Sequence, residues 1–572
     1  MARAREKIKT FAGLRRAFRT WATGLGTTVA PEVSGATSAE LHFLGALGGF
    51  AAEIGRGQVD RWPAVCRAWA FAAPTPPAAL VEEVGLELGA GEDVLAALYN
   101  ACISARSRRR LGTVFTPKPV VDHMIDLVDR GLAGERAIII DPGAGVGAFS
   151  IAAARRWPQS TTVAVDVNPV TLGLLATRIA FEIDADPERA EIYKRIDLRF
   201  GNYLDLFREI YTECEGPIAA LGNPPYTRVQ QLPLEERRRA IDLAGGIIDN
   251  GHANLATLIQ AMTLRHMRPD DVSCMLLPGS FSYTRASLGL RKEMWRSSRP
   301  IAVEQWPAAE RLFTGHSVQA AIISIGQAQA NPGPLQLASV ELAETEVRAT
   351  ASWSLSREEP EPRSWFAAES EAPVADSVPL ASLARVRRGI ATGANHMFFL
   401  DDETAARLPD SVCVEGIQSL RGFDGDCLDR EAHRRLNGSR GRRWLLAIPP
   451  ATELSGELKS YVQGFEGSVK DRFLPSKRPL WYSLSPSAPP PILIAPLSKG
   501  EFRVVTNAIG AIPSNNLFGI YPAKESDVER ISNWLRSTDG QRELRRVSRR
   551  YPGGSHKLEP RDLGSVGIPK EL

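Results

Sequence analysis

The chain has 572 residues, of which 24% are charged and 44% are hydrophobic. At roughly 100 to 200 residues per domain, this length predicts several domains, and the composition excludes a wholly disordered, collagenous or coiled-coil protein. Residues 1–110 hold 14 Lys and Arg against 10 Asp and Glu, residues 111–379 hold 26 against 34, and residues 380–572 hold 29 against 22. Basic flanks around an acidic centre suit an enzyme whose outer parts bind a polyanion, and solvated surface charge explains them equally well.

No apolar run reaches the roughly 18 residues that a membrane-spanning helix needs, and the basic start of the chain is not followed by a signal-peptide core. We therefore expect a soluble, cytoplasmic protein. The cysteines lie far apart, without a C-x-x-C pair or neighbouring histidines, so we expect neither a metal site nor a disulfide framework. The six cysteines are Cys66, Cys102, Cys214, Cys274, Cys413 and Cys427.

Residues 1–110 are rich in Ala, Leu and Glu at helical spacing, which predicts a helical N-terminal region. Short apolar runs then alternate with longer amphipathic stretches over residues 111–326, for example AIIID, TTVAVD, PIAALG, DVSCMLL and AAIISI. Runs of this kind predict buried parallel strands in a doubly wound α/β sheet. Ligands of such a sheet bind beyond the carboxyl ends of its strands.

Residues 327–380 are rich in Pro, Glu and Ser and predict a segment that connects two domains, although LQLASVEL has the pattern of a strand. Residues 381–572 are dense in Gly, Pro, Arg and aromatic residues, and they predict a separate mixed α/β domain.

A glycine-rich turn follows the first predicted strand. Asp141 is followed by Gly143, Gly145 and Gly147, which allow the backbone to turn tightly and to approach a ligand. The turn alone is weak evidence, but the next strand ends in Asp166, whose carboxylate can accept two hydrogen bonds from a ribose. The absence of a Lys-Ser/Thr pair disfavours a phosphate-binding loop, so the pattern favours S-adenosylmethionine. A helix N-cap is an alternative role for Asp166.

The sequence Asn223-Pro224-Pro225-Tyr226 follows another predicted strand. Two prolines remove two backbone donors and stiffen the loop. A stiff loop can hold the Asn223 side-chain oxygen and the Pro224 carbonyl as acceptors for the two N–H groups of an amine, which raises its nucleophilicity toward a methyl sulfonium. Tyr226 would stack on a planar base. The alternative is an ordinary strand–turn with a core tyrosine.

These motifs resemble those of the N6-adenine DNA methyltransferases of the gamma order, found in type II and type IIG restriction–modification enzymes. The resemblance implies a Rossmann-like, S-adenosylmethionine-dependent methyltransferase domain over residues 111–326 and a target-recognition domain over residues 381–572. It also implies methyl transfer to N6 of an adenine flipped out of duplex DNA. Phe115 and Thr116 resemble the segment that covers the cofactor methionine, and Phe313 resembles the aromatic partner of Tyr226.

One segment departs from the family pattern. The family has an acidic residue that binds the cofactor adenine where this chain reads Asn202-Tyr203. We expect Asn202 to accept through its amide oxygen and Tyr203 to belong to the same cofactor-binding segment, with Asp205 as an alternative acid. In the C-terminal domain, Lys477, Arg478, Lys557 and Arg561 are the predicted contacts with phosphates or bases, each with a solvated surface cation as the alternative.

Three other functions are compatible with parts of this pattern. Protein-glutamine or RNA adenine methyltransferases share the Asn-Pro-Pro-Tyr chemistry, but the long basic C-terminal region favours double-stranded DNA as the partner. A nuclease in the same chain is another alternative, but the chain lacks a convincing metal-binding motif for one. The resemblance also implies a cognate endonuclease or another defence-system protein as a candidate partner. A DNA-binding subunit without catalysis is the third alternative.

Overall fold

In the computed structural model, the described residues are 11–26, 28, 36–91, 93–104, 107, 115–132, 134, 137–248, 253–306, 312–313, 319–359, 365–366, 374, 376–436, 441–551 and 555–571. The chain divides into two compact units, Met1–Phe366 and Ala367–Leu572. No helix among the described residues is long and apolar enough to span a membrane.

Among the described residues of the first unit, five helices lie at the N-terminus and eight more lie between or beside the strands. They are α1 (Phe11–Thr23), α2 (Ser38–Gly55), α3 (Ala64–Phe71), α4 (Ala78–Gly89), α5 (Val94–Cys102), α6 (Lys118–Leu132), α7 (Ala148–Arg156), α8 (Pro169–Ala185), α9 (Ala190–Lys194), α10 (Tyr203–Glu213), α11 (Leu234–Ala244), α12 (Leu255–His266) and α13 (Leu288–Arg296).

Nine strands of the first unit form one sheet. They are β1 (Ile138–Pro142), β2 (Thr162–Asp166), β3 (Ile196–Phe200), β4 (Ile218–Gly222), β5 (Val272–Pro278), β6 (Ile301–Gln305), β7 (Ala320–Ile325), β8 (Leu335–Ala343) and β9 (Glu346–Leu355). Their order across the sheet is β3-β2-β1-β4-β5-β7-β6-β8-β9. Neighbouring strands from β3 to β5 are parallel, whereas β7 is antiparallel to both β5 and β6.

The central strands are buried on both faces, which explains their continuous apolar sequences. Ile140 and Ala220 point into one core with α10 and α12, whereas Ile139 and Ala219 point into the opposite core with α6 and α7. The predicted doubly wound α/β fold is confirmed. The prediction that all five apolar runs are parallel was wrong for AAIISI, because β7 runs antiparallel between two neighbours.

The N-terminal helices share a core with the sheet's own helices. Leu14, Phe18 and Tyr99 are buried in the same cluster as Leu175 of α8. The contact is close at Gly173, where a Cβ would lie 2.5 Å from Trp69 Cζ3. The N-terminal helices are therefore part of the first unit, and no domain boundary falls at residue 110.

The predicted connecting segment over residues 327–380 needs correction, because part of it belongs to the sheet. Within it, β8 pairs with β6 and β9 pairs with β8. Leu335, Leu337 and Val340 of β8 are buried, and this burial explains why LQLASVEL carries apolar residues within a Pro- and Glu-rich stretch. The first unit extends to Phe366.

The second unit is built from short strands and helices, in agreement with the predicted mixed α/β domain. Its helices are α14 (Asn395–Phe398), α15 (Asp402–Ala406), α16 (Arg430–Arg435), α17 (Gly456–Val469), α18 (Asp527–Arg536), α19 (Thr538–Val547) and α20 (Pro560–Gly564). Its strands are β10 (Ser377–Pro379), β11 (Ala384–Arg388), β12 (Phe399–Leu400), β13 (Cys413–Ile417), β14 (Trp444–Leu446), β15 (Ile492–Ile494), β16 (Leu497–Ser498), β17 (Val504–Thr506), β18 (Ile512–Pro513), β19 (Phe518–Pro522), β20 (Arg549–Tyr551), β21 (Ser555–Lys557) and β22 (Gly567–Pro569). Their orders in the four sheets are β10-β22, β11-β19-β15-β17, β12-β14-β13-β18 and β16-β21-β20.

Candidate active site

Four parallel strands end side by side at one edge of the large sheet. β1, β2, β3 and β4 end at Pro142, Asp166, Phe200 and Gly222, and Asp166 lies opposite Phe200 in the register. Because the strands run in the same direction, the loops that follow them lie at the same edge. The predicted cofactor-binding segments and the Asn-Pro-Pro-Tyr segment therefore meet there.

The glycine loop adopts a backbone that requires glycine. Gly143, Gly145 and Gly147 have φ angles of 86°, 57° and 86°, in the left-handed region. The Gly143 N–H donates to the Val165 carbonyl at 2.9 Å, which fastens the loop to β2. A Cβ at Gly147 would lie 2.1 Å from Leu175 Cδ1, so the start of α7 approaches α8 more closely than a side chain permits.

The glycine loop and the Asn-Pro-Pro-Tyr segment approach each other so closely that a side chain between them would be crowded. A Cβ at Gly143 would lie 3.3 Å from Pro225 Cδ, and a Cβ at Gly222 would lie 2.9 Å from Asp141 Oδ1. The contact follows from the pairing of β1 with β4. It brings the predicted cofactor loop and the predicted catalytic loop to one place.

Asp141 is a desolvated carboxyl group at the base of this contact. The side chain is 1% exposed, and Oδ2 accepts a hydrogen bond from Ser150 Oγ at 2.6 Å. Oδ1 has no hydrogen-bond partner among the described residues. Burial raises the pKa of this carboxyl group to about 7, because the charged form loses its water.

Asp166 holds the glycine loop against β2. Its Oδ2 accepts from the Gly145 N–H and its Oδ1 from the Asn168 N–H, both at 2.7 Å. Asn168 itself caps α8 by accepting from the Val170 N–H, so Asn168 occupies the helix-cap position considered for Asp166. Oδ1 also accepts from Thr171 Oγ1 at 3.3 Å, which occupies both of its lone pairs. One lone pair of Oδ2 remains, which suits one hydrogen bond from a ribose and not the two that the sequence predicts. Burial raises the pKa of Asp166.

Phe115 and Thr116 lie beside the glycine loop and Asn223. The Phe115 ring is 3.9 Å from the position of a Cβ at Gly145, and Thr116 Oγ1 accepts from Asn223 Nδ2 at 3.2 Å. Phe115 packs edge to face against Tyr99, with ring centroids 5.8 Å apart. Tyr99 also bonds Asn168 at 3.0 Å. Sequence reasoning missed Tyr99, because nothing in α5 shows that its ring reaches the site.

Asn202 is more constrained than the sequence suggests. Its Oδ1 accepts from the Leu204 N–H at 3.0 Å and caps α10, while its Nδ2 donates to Glu236 Oε1 at 2.7 Å. Asp205, considered as a substitute acid, is exposed and paired with Arg239.

The prediction that Tyr203 binds the cofactor is wrong, because its side chain is buried. Its side chain is 6% exposed and packs edge to face against Phe207 in the core beneath the sheet. Burial raises its pKa well above the ordinary range. The apolar side chains that do face solvent at this edge are Val167, 66% exposed, and Phe200, 43% exposed. Val167 follows Asp166 at the end of β2, and Phe200 ends the neighbouring strand β3. These positions at strand ends are visible in the sequence.

Tyr226 and Phe313 are in contact, but they do not form an open sandwich. Their ring centroids are 6.4 Å apart and the ring planes meet at 75°. Phe313 is 2% exposed, whereas Tyr226 is half-buried. Burial of the Tyr226 hydroxyl raises its pKa above the ordinary range. A base between two parallel faces requires one ring to turn, and Tyr226 is the less enclosed of the two.

In the second unit, Arg478 is a structural residue, and this corrects its predicted role in binding DNA. Its guanidinium donates to the carbonyls of Thr392 at 2.8 Å and Ala391 at 3.1 Å, and it lies 5.1 Å from the centre of the Phe398 ring. Burial lowers its pKa. Lys557 is half-buried and paired with Glu559 at 3.1 Å.

Lys477 and Arg561 are exposed, and neither has an ion pair within the described part of the chain. Near Lys477, Phe473 is 76% exposed, an unusual position for a large aromatic side chain. The adjacent Arg472 bonds the Gly393 carbonyl at 3.5 Å. Sequence reasoning missed Phe473, although an aromatic residue inside the basic run KDRFLPSKR is a usable signal.

Comparison with known proteins gives consistent matches. Residues 370–572 match the family described as the C-terminal domain of the type II methyltransferase M.Eco57I. The type II methyltransferase M.XamI of Xanthomonas campestris pv. amaranthicola is 25% identical over 485 residues, which cover 80% of this chain and 85% of that protein. The type II methyltransferase M.AccI of Acinetobacter calcoaceticus is 20% identical over 489 residues, which cover 81% and 86%.

A solved structure supports the fold. The type IIL restriction–modification enzyme MmeI, in complex with DNA, aligns with a TM-score of 0.57 at 12% identity, over 93% of this chain and 79% of that chain. Both type II relatives match about four fifths of the chain, and the family match covers the second unit. The predicted resemblance to the type II methyltransferases of restriction–modification systems is therefore confirmed.

Proposed function

We propose that the chain transfers a methyl group from S-adenosylmethionine to N6 of an adenine flipped out of duplex DNA, in a restriction–modification or phage-defence system. S-adenosylmethionine-dependent methylation of DNA follows from the type II relatives. The observation that carries the choice of an amino group is the Asn223 amide, whose Nδ2 donates to Thr116 Oγ1 at 3.2 Å. The close approach of Gly143 to Pro225 supports a position of this amide near the loop that would hold the methyl donor.

The residues of this loop suit an exocyclic amine. Nδ2 of Asn223 donates to Thr116, which orients the amide and makes Oδ1 its acceptor atom. Oδ1 and the Pro224 carbonyl would accept the two N–H bonds of the amine and favour a more tetrahedral nitrogen. When bound, the cofactor would supply a methyl group activated by its sulfonium and would leave as S-adenosylhomocysteine. The two acceptors would hold the amine N–H groups, and the methylated nitrogen would release one proton to solvent water.

The base itself would be bound by Tyr226 and Phe313. Flipping costs a few kcal/mol of unpairing and unstacking, which stacking on an aromatic face offsets by about 1–3 kcal/mol. Because the two rings are edge to face, we expect Tyr226 to turn when a base enters. The excess of basic residues in 380–572 suits the phosphates of duplex DNA. A cognate endonuclease or another defence-system protein is the proposed partner.

A single labelling experiment tests the substrate. Tritiated methyl groups from the cofactor are offered with duplex DNA, RNA and release-factor protein, and the modified nucleoside is identified by mass spectrometry. We expect label in DNA as N6-methyladenine. Label in protein alone, or in cytosine, would reject the proposal. Methylation-aware sequencing of DNA from expressing cells then gives the recognition sequence.

The same assay separates an enzyme from an inactive DNA-binding subunit. An inactive subunit predicts no methyl transfer by the wild-type chain and no binding of the cofactor in calorimetry. The proposal predicts that the wild-type chain transfers methyl groups and binds the cofactor. It also predicts that replacement of Asn223 greatly slows methyl transfer and leaves duplex binding intact.

A further inference from the structure

An amide–carboxylate pair lies just beyond the end of β3. Asn202 follows Phe200 by two residues, and Glu236 lies on α11, in a different part of the chain. Asn202 Nδ2 donates to Glu236 Oε1 at 2.7 Å, and both side chains are half-buried. The contact joins the start of α10 to the segment that follows the Asn-Pro-Pro-Tyr loop.

The two bonds of Asn202 fix the orientation of its amide. Oδ1 accepts from the Leu204 N–H at 3.0 Å, while Nδ2 faces the carboxylate of Glu236. A flipped amide would place NH₂ against the Leu204 N–H and the amide oxygen against the carboxylate, and both contacts would repel. Glu236 therefore helps to determine the direction in which the amide oxygen of Asn202 points.

The place of this acceptor suits a purine amino group. Phe200 pairs with Asp166 in the sheet register, and the exposed side chains of Phe200 and Val167 provide apolar contacts for a flat ring beside Asp166. An adenine amino group offers N–H donors and requires oxygen acceptors. Oδ1 keeps a second lone pair after capping α10.

We infer that Glu236 is a positioning residue for the adenine ring of the methyl donor. It orients the Asn202 amide with its oxygen toward the ring's amino group, and it supplies from α11 the negative charge that an amide at position 202 lacks. The inference rests on the proposed use of S-adenosylmethionine. Asp205 is the weaker alternative, because it is exposed and its charge is offset by Arg239.

Calorimetric binding of two cofactor products tests this role without relying on activity. S-adenosylhomocysteine carries the amino group, whereas S-inosylhomocysteine carries a carbonyl oxygen in its place. We expect wild type to prefer the adenosine compound by at least tenfold. Glu236→Ala should reduce that preference several-fold, because the amide is no longer oriented. Glu235→Ala, an exposed neighbour on the same helix, is the matched control and should leave the preference unchanged.

The second test exchanges the amide and the acid of the pair. Asn202→Asp places two carboxylates in contact, so we expect the affinity for S-adenosylhomocysteine to fall about tenfold. The double variant Asn202→Asp with Glu236→Gln restores one acid and one amide and should bind within about threefold of wild type. If Asn202 only caps the helix, Asn202→Asp should bind as tightly as wild type, because Asp is as good a helix cap as Asn.

The outcomes separate this inference from the proposed function. Failure of wild type to bind either compound would overturn the proposed function and the inference with it. Adenosine binding with an unchanged preference in Glu236→Ala would overturn the inference alone. Equal binding by wild type and Asn202→Asp would also overturn it, provided that thermal unfolding shows both proteins folded.

Discussion

The edge of the sheet at which β1 to β4 end, here called the strand edge, and the cations Lys477 and Arg478 of the second unit differ in how directly the sequence identifies their roles. At the strand edge, glycine and proline fix the backbone locally, and Gly143 lies against Pro225 because β1 and β4 pair. In the second unit, adjacent cations have opposite roles: Lys477 is exposed, whereas Arg478 bonds Thr392. Backbone-determined sites can thus be predicted from local sequence, whereas a cation's role depends on distant contacts.

The largest expected effect is at the strand edge. Asn223→Ala should lower the rate of methyl transfer by about 10²–10³-fold, because one preorganised acceptor for the amine is lost. Duplex binding should change little, since the cations that we expect to bind DNA lie elsewhere in the sequence. Single-turnover methylation and equilibrium DNA binding, measured on the same preparation, check this. A rate within threefold of wild type would contradict the role assigned to the loop.

A substitution in the glycine loop tests whether the local backbone fixes this edge. Gly147→Ala should lower the free energy of unfolding by about 2–4 kcal/mol, because its φ is 86° and a Cβ would overlap Leu175. Gly85→Ala in α4 is the control, since nothing lies within 4 Å of its Cβ position. It should be neutral or stabilising. Denaturant unfolding measures both; equal effects would show that the loop tolerates a side chain.

The buried acid of the edge gives a pH dependence with a definite sign. Burial raises the Asp141 pKa from 3.8 to about 7, so the folded state holds a proton that the unfolded state has lost. Its contribution to stability is present below about pH 4 and is lost as the pH rises toward 7. Asp141→Asn should therefore gain stability relative to wild type across that range, by on the order of 2–4 kcal/mol. Unfolding curves at pH 4.5 and pH 8 check this; a difference that does not grow with pH would contradict it.

The sequence predicts those parts of the fold and the site that depend on neighbouring residues along the chain. The strand positions, the glycine loop and the Asn-Pro-Pro-Tyr loop depend on local chemistry, and their sequences predicted the fold. Tyr203 was misassigned because its neighbours along the chain do not show that its ring turns into the core. Glu236 and Tyr99 were missed because they reach the site through tertiary contacts only. The inclusion of β8 in the sheet was obscured by the polar composition around it.

Substitutions of Arg478 and Lys477 test whether these adjacent cations of the second unit differ in their structural roles. Arg478→Ala should destabilise its surroundings by about 1–3 kcal/mol, because it leaves the carbonyls of Ala391 and Thr392 without their donor. Hydrogen exchange of residues 390–400 should accelerate locally. Lys477→Ala is the control and should leave exchange unchanged. Unchanged exchange in Arg478→Ala would return that residue to the candidates for binding DNA.

The smallest expected effects separate the charged and apolar contributions of the Lys477 surface to DNA binding. Lys477→Ala should weaken duplex binding and reduce the slope of log affinity against log salt by about 1, because one phosphate contact is lost. Phe473→Ala should weaken binding without changing that slope, because an exposed ring contributes by packing or stacking and releases no counterion. Titrations at several salt concentrations, with Leu497→Ala as an exposed apolar control, distinguish the two. If neither variant alters affinity, this surface does not contact DNA, and Arg561 is the remaining exposed candidate of the four predicted from the sequence.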